Sequence, residues 1–224
     1  MKNAHKVRFI DLITQALGDI LLLVEEGLSR LYPREPRKRL SDENYLYNRK
    51  RDIVNQLIND QNDGKETGVN KLKIGRTDVG WSGCEIIAIH NALVLLGKES
   101  SFADVEREFE ISGALTKVPF VPIGAYGSNP YALRRMITTF GLEAKSVSFK
   151  WILNNPGIYV FSYWNYGGLL KGLHTILLES DGEKYRLYNY GSTGQAILGK
   201  DQYVERFKER FIIGYDVHEK GKEF

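Results

Sequence analysis

Between positions 7 and 32 apolar residues return every three or four places. Phe9, Ile10, Ile13, Leu17, Ile20, Leu21, Val24, Leu28 and Leu31 draw a stripe down one side of a helix. Pro33 and Pro36 stop it. A second helical pattern, opened by Ser41 as a cap, runs through Tyr45, Leu46, Ile53, Val54, Leu57 and Ile58, and QNDGKETG at 61–68 reads as loop. Residues 1–62 are therefore expected to form a helical extension. A stripe of this length has to be buried, and the body of the chain is the nearest surface; a partner or a membrane surface is the alternative.

From Ser82 to Leu96 the pattern is apolar almost all round, as expected of a helix enclosed by other elements, and Gly97 ends it. Ser101 followed by Asp104 resembles a capping box, opening a short helix through about 109. A glycine-bearing loop follows, then a helix over ALRRMITTF, opened by Ser128 with Pro130 and closed by Gly141. After that the period drops to two. EAKSVSF, GIYVFSYW, LHTILLES, KYRLYNY and FIIGYDV read as strands, with SDGE at 180–183 as a hairpin turn and DQYVERFKER as a short helix before the last strand. Helices first and strands afterwards predict an α+β fold for residues 63–224, with a mostly antiparallel sheet packed on the central helix.

Composition adds limits. The 224 residues are 42% hydrophobic and 26% charged, ordinary for a globular chain. A net charge of +3 is too mild to argue for nucleic acid, although Arg30, Arg34, Arg37, Lys38, Arg39, Arg49, Lys50 and Arg51 crowd one stretch that reads as a solvated helical corner. One cysteine makes no internal disulfide and suits a reducing compartment, so a cytoplasmic location is expected. The run ILLLV at 20–24 is too short to span a membrane. No paired cysteines or HExxH spacing suggests a metal, and no glycine loop carries a phosphate-binding lysine, so no cofactor is expected.

The lone cysteine sits in GWSGC, where a glycine-broken loop meets the apolar helix. Unpaired N–H groups and the positive end of the helix dipole point there, favouring a thiolate and offering donors to an oxyanion. Gly80 and Gly83 let a ligand approach the backbone. Of four histidines, His90 lies about 120° round the same helix from Cys84, while His5 and His218 lie near the termini. His174 survives, at the start of a strand after a glycine-bearing loop. A turn centred near 181–182 pairs it with about Asn189, with Asp181 or Ser192 as its partner if the register slips. Tyr163, Trp164, Tyr166 and Ser128 are candidates for lining a substrate groove.

The order Cys, His, Asn across these elements resembles the papain-like cysteine peptidases. More narrowly, GWSGC before an alanine-bearing helix ending LLG, GSNPYALRRMITTFGL, PGIYVFSYWN and GLHTILLESDGEKYRLYNYGS resemble the double-glycine leader peptidases and their free-standing relatives, over about 75–217. The resemblance implies a peptide substrate and thiol peptidase or amidase chemistry: Cys84 attacks an acyl carbonyl, His174 shuttles protons and Asn189 orients His174. These families place an oxyanion-binding glutamine about six residues before the cysteine. Here that position is Asp78, whose carboxylate would repel developing charge, leaving the Cys84 amide with Asn70, Trp81 or Ser82 as candidate donors, or a catalytically impaired pseudo-peptidase that binds peptides or partner proteins.

Overall fold

The structure, a computed structural model, describes residues 2–31, 35–65, 67–116, 123–165, 172–191 and 194–221, with the side chains of 2–11 and 35–37 left aside. Tyr166 and Ser192 lie outside the described residues.

The fold is α+β. Helix α1 (Lys2–Ser29) and helix α2 (Glu35–Asn48) come first, followed by a two-stranded ribbon of β1 (Lys73–Ile74) and β2 (Thr77–Asp78). A single turn, α3 (Val79–Ser82), leads into α4 (Cys84–Leu95), and α5 (Phe102–Ser112) and α6 (Leu133–Thr139) follow. The second half supplies β3 (Leu142–Val147), α7 (Phe149–Asn154), β4 (Gly157–Trp164), β5 (Leu173–Ser180), β6 (Lys184–Tyr188), β7 (Gln195–Gly199), α8 (Lys200–Phe207) and β8 (Phe211–Glu219). The six longer strands form one antiparallel sheet in the order β3-β8-β4-β5-β6-β7.

Alternation along the strands sends residues to two cores. Val160, Leu177 and Tyr215 meet Ile86, Ile89 and Leu93 of α4 on one face, while Tyr159, Phe161, Ile176 and Leu178 meet Tyr203 and Phe207 of α8 on the other. Helix α4 is buried all round, as its pattern requires. Two of its buried polar members are matched: His90 bonds the Gln56 carbonyl at 2.8 Å and Ser100 Oγ at 2.7 Å, and Asn91 exchanges two 2.8 Å bonds with the backbone of Ile58. Ser101 caps α5 through the Asp104 amide, and the helix runs three residues past the expected 109 to Gly113, which takes the left-handed conformation.

The helical extension departs from expectation in two ways. Helix α2 stops at Asn48, and residues 52–62 run as extended chain over the body, with Asn55 at φ 52 and Val54 bridged to Ser101. Ile53 and Ile58, read as a helical stripe, are core residues reached by this irregular chain. Two asparagines pin α2 instead. Asn48 accepts from the Lys73 amide and donates to the Lys73 carbonyl and Glu106, and Asn44 donates to the Gly75 carbonyl and to Glu110. Glu106 is pushed well above the carboxylate range by burial and by Glu110 beside it.

Helix α1 meets the body through its polar side. Asn129 Nδ2 donates to the Leu22 carbonyl at 2.5 Å, Glu26 faces Arg135 at 3.6 Å, and Asp19 lies beside Trp164. The stripe expected to be buried is exposed: Ile13, Leu17, Ile20, Leu21, Val24, Leu28 and Leu31 stand about half or more in solvent, while the side chains of Phe9 and Ile10 lie outside the described residues. Within the basic stretch, Arg30, Arg39 and Arg49 each pair with an acid three or four residues away, as a solvated corner would. Among the described residues no helix is long and apolar enough to cross a membrane.

Candidate active site around Cys84 and His174

Cys84 is the first residue of α4, after Gly83. A Cβ at Gly83 would lie 2.4 Å from Val79 Cγ1 and 2.9 Å from the Val79 carbonyl, so the tight step from α3 into α4 requires glycine. The thiol is 6% exposed and donates to Glu85 Oε2 at 3.0 Å, while the Thr175 amide donates to the sulfur. Burial, then the Glu85 carboxylate, push the thiol well above its usual range. A helix N-terminus offers an anion at most about 2 kcal/mol, whereas removing a thiolate from water costs several, so desolvation wins.

Glu85 is itself fully enclosed. Burial pushes its carboxyl up to about 7, against the opposing pull of the Cys84 thiol, the Ser128 amide and the Thr175 hydroxyl. Gly127, at φ +74, brings its backbone against this carboxyl; a Cβ there would stand 3.1 Å from Oε2. Ser128 is thus part of the wall around Glu85, 1% exposed, rather than of a groove.

His174 is the second residue of β5, just before Thr175. Its Nε2 meets the backbone carbonyl of Asn189 at 2.8 Å. A carbonyl only accepts, so Nε2 carries the proton and Nδ1 holds the basic lone pair. Burial lowers the imidazole's pKa, and the Asn189 carbonyl opposes that shift. The Tyr163 ring stands edge-on to it, centroids 5.7 Å apart, and the Tyr163 phenol is raised by burial and, further down, by Cys84. Cys84 and His174 thus come to the same end of β5, although the thiol proton goes to Glu85.

Asn189 reaches His174 by a route the sequence did not suggest. The β5–β6 ladder pairs Leu177 with Tyr188 and Ser180 with Tyr185, two residues out of the expected register, because the turn holds Asp181 to Glu183, with Asp181 accepting from the Glu183 and Lys184 amides. Asn189 then takes φ 59, leaving the ladder and turning its carbonyl to the ring. Its side chain goes elsewhere: Oδ1 accepts from the Gln61 amide at 2.8 Å and Nδ2 donates to Gln61 Oε1 at 3.2 Å. Gln61 Nε2 in turn donates to the Gly80 carbonyl at 3.1 Å, tying α3, the turn before Cys84, to the hairpin of His174. No periodicity marks Gln61, which lies in a stretch that reads only as loop.

The remaining candidates are placed as follows. Asp78 pairs with Lys73 at 2.6 Å, half exposed. Trp81, 74% exposed, donates its indole N–H to the Ala125 carbonyl. Ser82 shares a 2.9 Å hydrogen bond with Thr77, and Asn70 packs its backbone against Gly80. Trp164 is buried beside Asp19, a wall between α1 and β4 rather than a groove residue. Tyr163 does line a cleft of about 590 Å³, together with His174, Asn189, Gln61, Asp60, Arg206 and Arg210; Cys84 is not part of that lining.

No protein-family model and no curated protein matches the chain. Among the described residues no cluster of histidine, cysteine and carboxylate is arranged to hold a metal ion.

Proposed function

We propose that the protein is a papain-like thiol hydrolase that cleaves a peptide or related amide through an acyl-enzyme on Cys84. One observation carries this reading: the Asn189 carbonyl fixes the His174 tautomer that leaves Nδ1 as a base, at the strand end whose Thr175 amide touches the Cys84 sulfur. In the reaction, Sγ adds to the scissile carbonyl as its proton passes to His174 Nδ1, and the Cys84 amide at the start of α4 faces the oxyanion. The imidazolium then protonates the departing amine. Water, deprotonated by the same nitrogen, releases the acyl group and restores the thiol. Glu85 holds the thiol proton at rest, so the transfer to His174 belongs to the substrate complex. The single thiol fits a reducing, cytoplasmic setting.

A second reading has its own observation. A thiol held protonated by burial and by Glu85 suits a protein that keeps the cleft for binding a peptide and does not turn it over. A peptide-library digest read by mass spectrometry separates the two. The hydrolase reading expects cleavage by the wild type that disappears in Cys84→Ala and in His174→Ala, with the circular dichroism of both variants unchanged. Peptides bound equally by wild type and Cys84→Ser, with no cleavage by either, would give the protein to the second reading.

A further inference from the structure

Helix α1 is amphipathic the wrong way round for a helix that belongs only to its own body. The side turned inward carries Asp19, Leu22, Glu26 and Ser29; the side turned nearly opposite carries Ile13, Leu17, Ile20, Val24 and Leu31, each between 44% and 79% exposed. We propose that this face is covered by α1 of a second copy of the chain, making a two-fold dimer. The proposal is independent of the catalytic reading.

Two observations choose this occupant. The first is the period. Positions 13, 17, 20, 24, 27 and 31 follow the alternating four-and-three spacing that keeps an apolar seam facing a partner helix, and Gly27 in that seam has open space where a Cβ would stand. A patch meant for lipid needs no such repeat. The second is size. Nine large apolar side chains of residues 12–31 stand about half exposed, a patch on the order of the 800 Å² that each partner gives to a standard interface and beyond what monomers usually leave open.

The test is sedimentation equilibrium of the full chain over a dilution series, with the variant Leu17→Glu/Ile20→Lys alongside. These positions point away from the body, so the variant keeps the fold, checked by circular dichroism. A mass of two chains for the wild type that falls by half in the variant is the expected result. Flotation with phosphatidylglycerol vesicles is run in parallel. A wild type that sediments as one chain at every concentration overturns the proposal, whether it floats with vesicles, which makes the face a lipid contact, or stays behind. A dimer that persists in the variant overturns it too, since its interface then lies elsewhere.

Discussion

Glu85 sets the chemistry of its neighbour. Its carboxyl, raised from 4.5 to about 7, is held neutral more easily in the folded protein than in the unfolded chain. The folded state therefore binds the extra proton, and the stability this supplies, about 3 kcal/mol, is full below pH 4.5 and lost as pH rises through 7. Glu85→Gln removes the ionisation, so urea titrations should find the variant more stable than wild type at pH 8 and little different at pH 4. The same change removes the carboxylate that helps raise the thiol, so iodoacetamide should alkylate Cys84 at a lower pH in the variant. An unchanged alkylation profile would mean that burial alone governs the thiol. The placement of Cys84 at a helix start and of His174 at a strand start could be read from the sequence, because glycine context and the drop to a period of two mark them. Gln61 could not, since its role arises from a main-chain carbonyl at Gly80 and a left-handed Asn189 that no local pattern announces.

Helices with one plain signal were legible. Ser101 capped α5 as expected, the all-apolar pattern of α4 was a buried helix, and β4 and β5 took the runs assigned to them. Elements decided by tertiary contacts were not. Helix α7 and strand β7 carry too few residues to outweigh the stretches around them, and 53–58 kept helical spacing while Asn55, His90 and Asn91 held it extended. The end of α2 likewise depends on Asn48, whose side chain bonds both backbone groups of Lys73. Asn48→Ala leaves the Lys73 amide and the Glu106 carboxyl without these partners and should cost about 2 to 3 kcal/mol in a denaturant titration. A loss below about half a kcal/mol would mean that water replaces the amide.

At the scale of the molecule, the helical half and the sheet half meet at Cys84. Its thiol enters that contact only when β5 reaches α4, a pairing of residues some ninety positions apart in the sequence. Local helices form before such distant contacts close. The lone thiol is therefore a clock built into the chain, open to reagent while helices assemble and silenced when the sheet arrives. Pulsed alkylation during refolding should show helical circular dichroism recovering ahead of thiol protection. Simultaneous recovery would indicate that α4 acquires its structure only on the finished sheet.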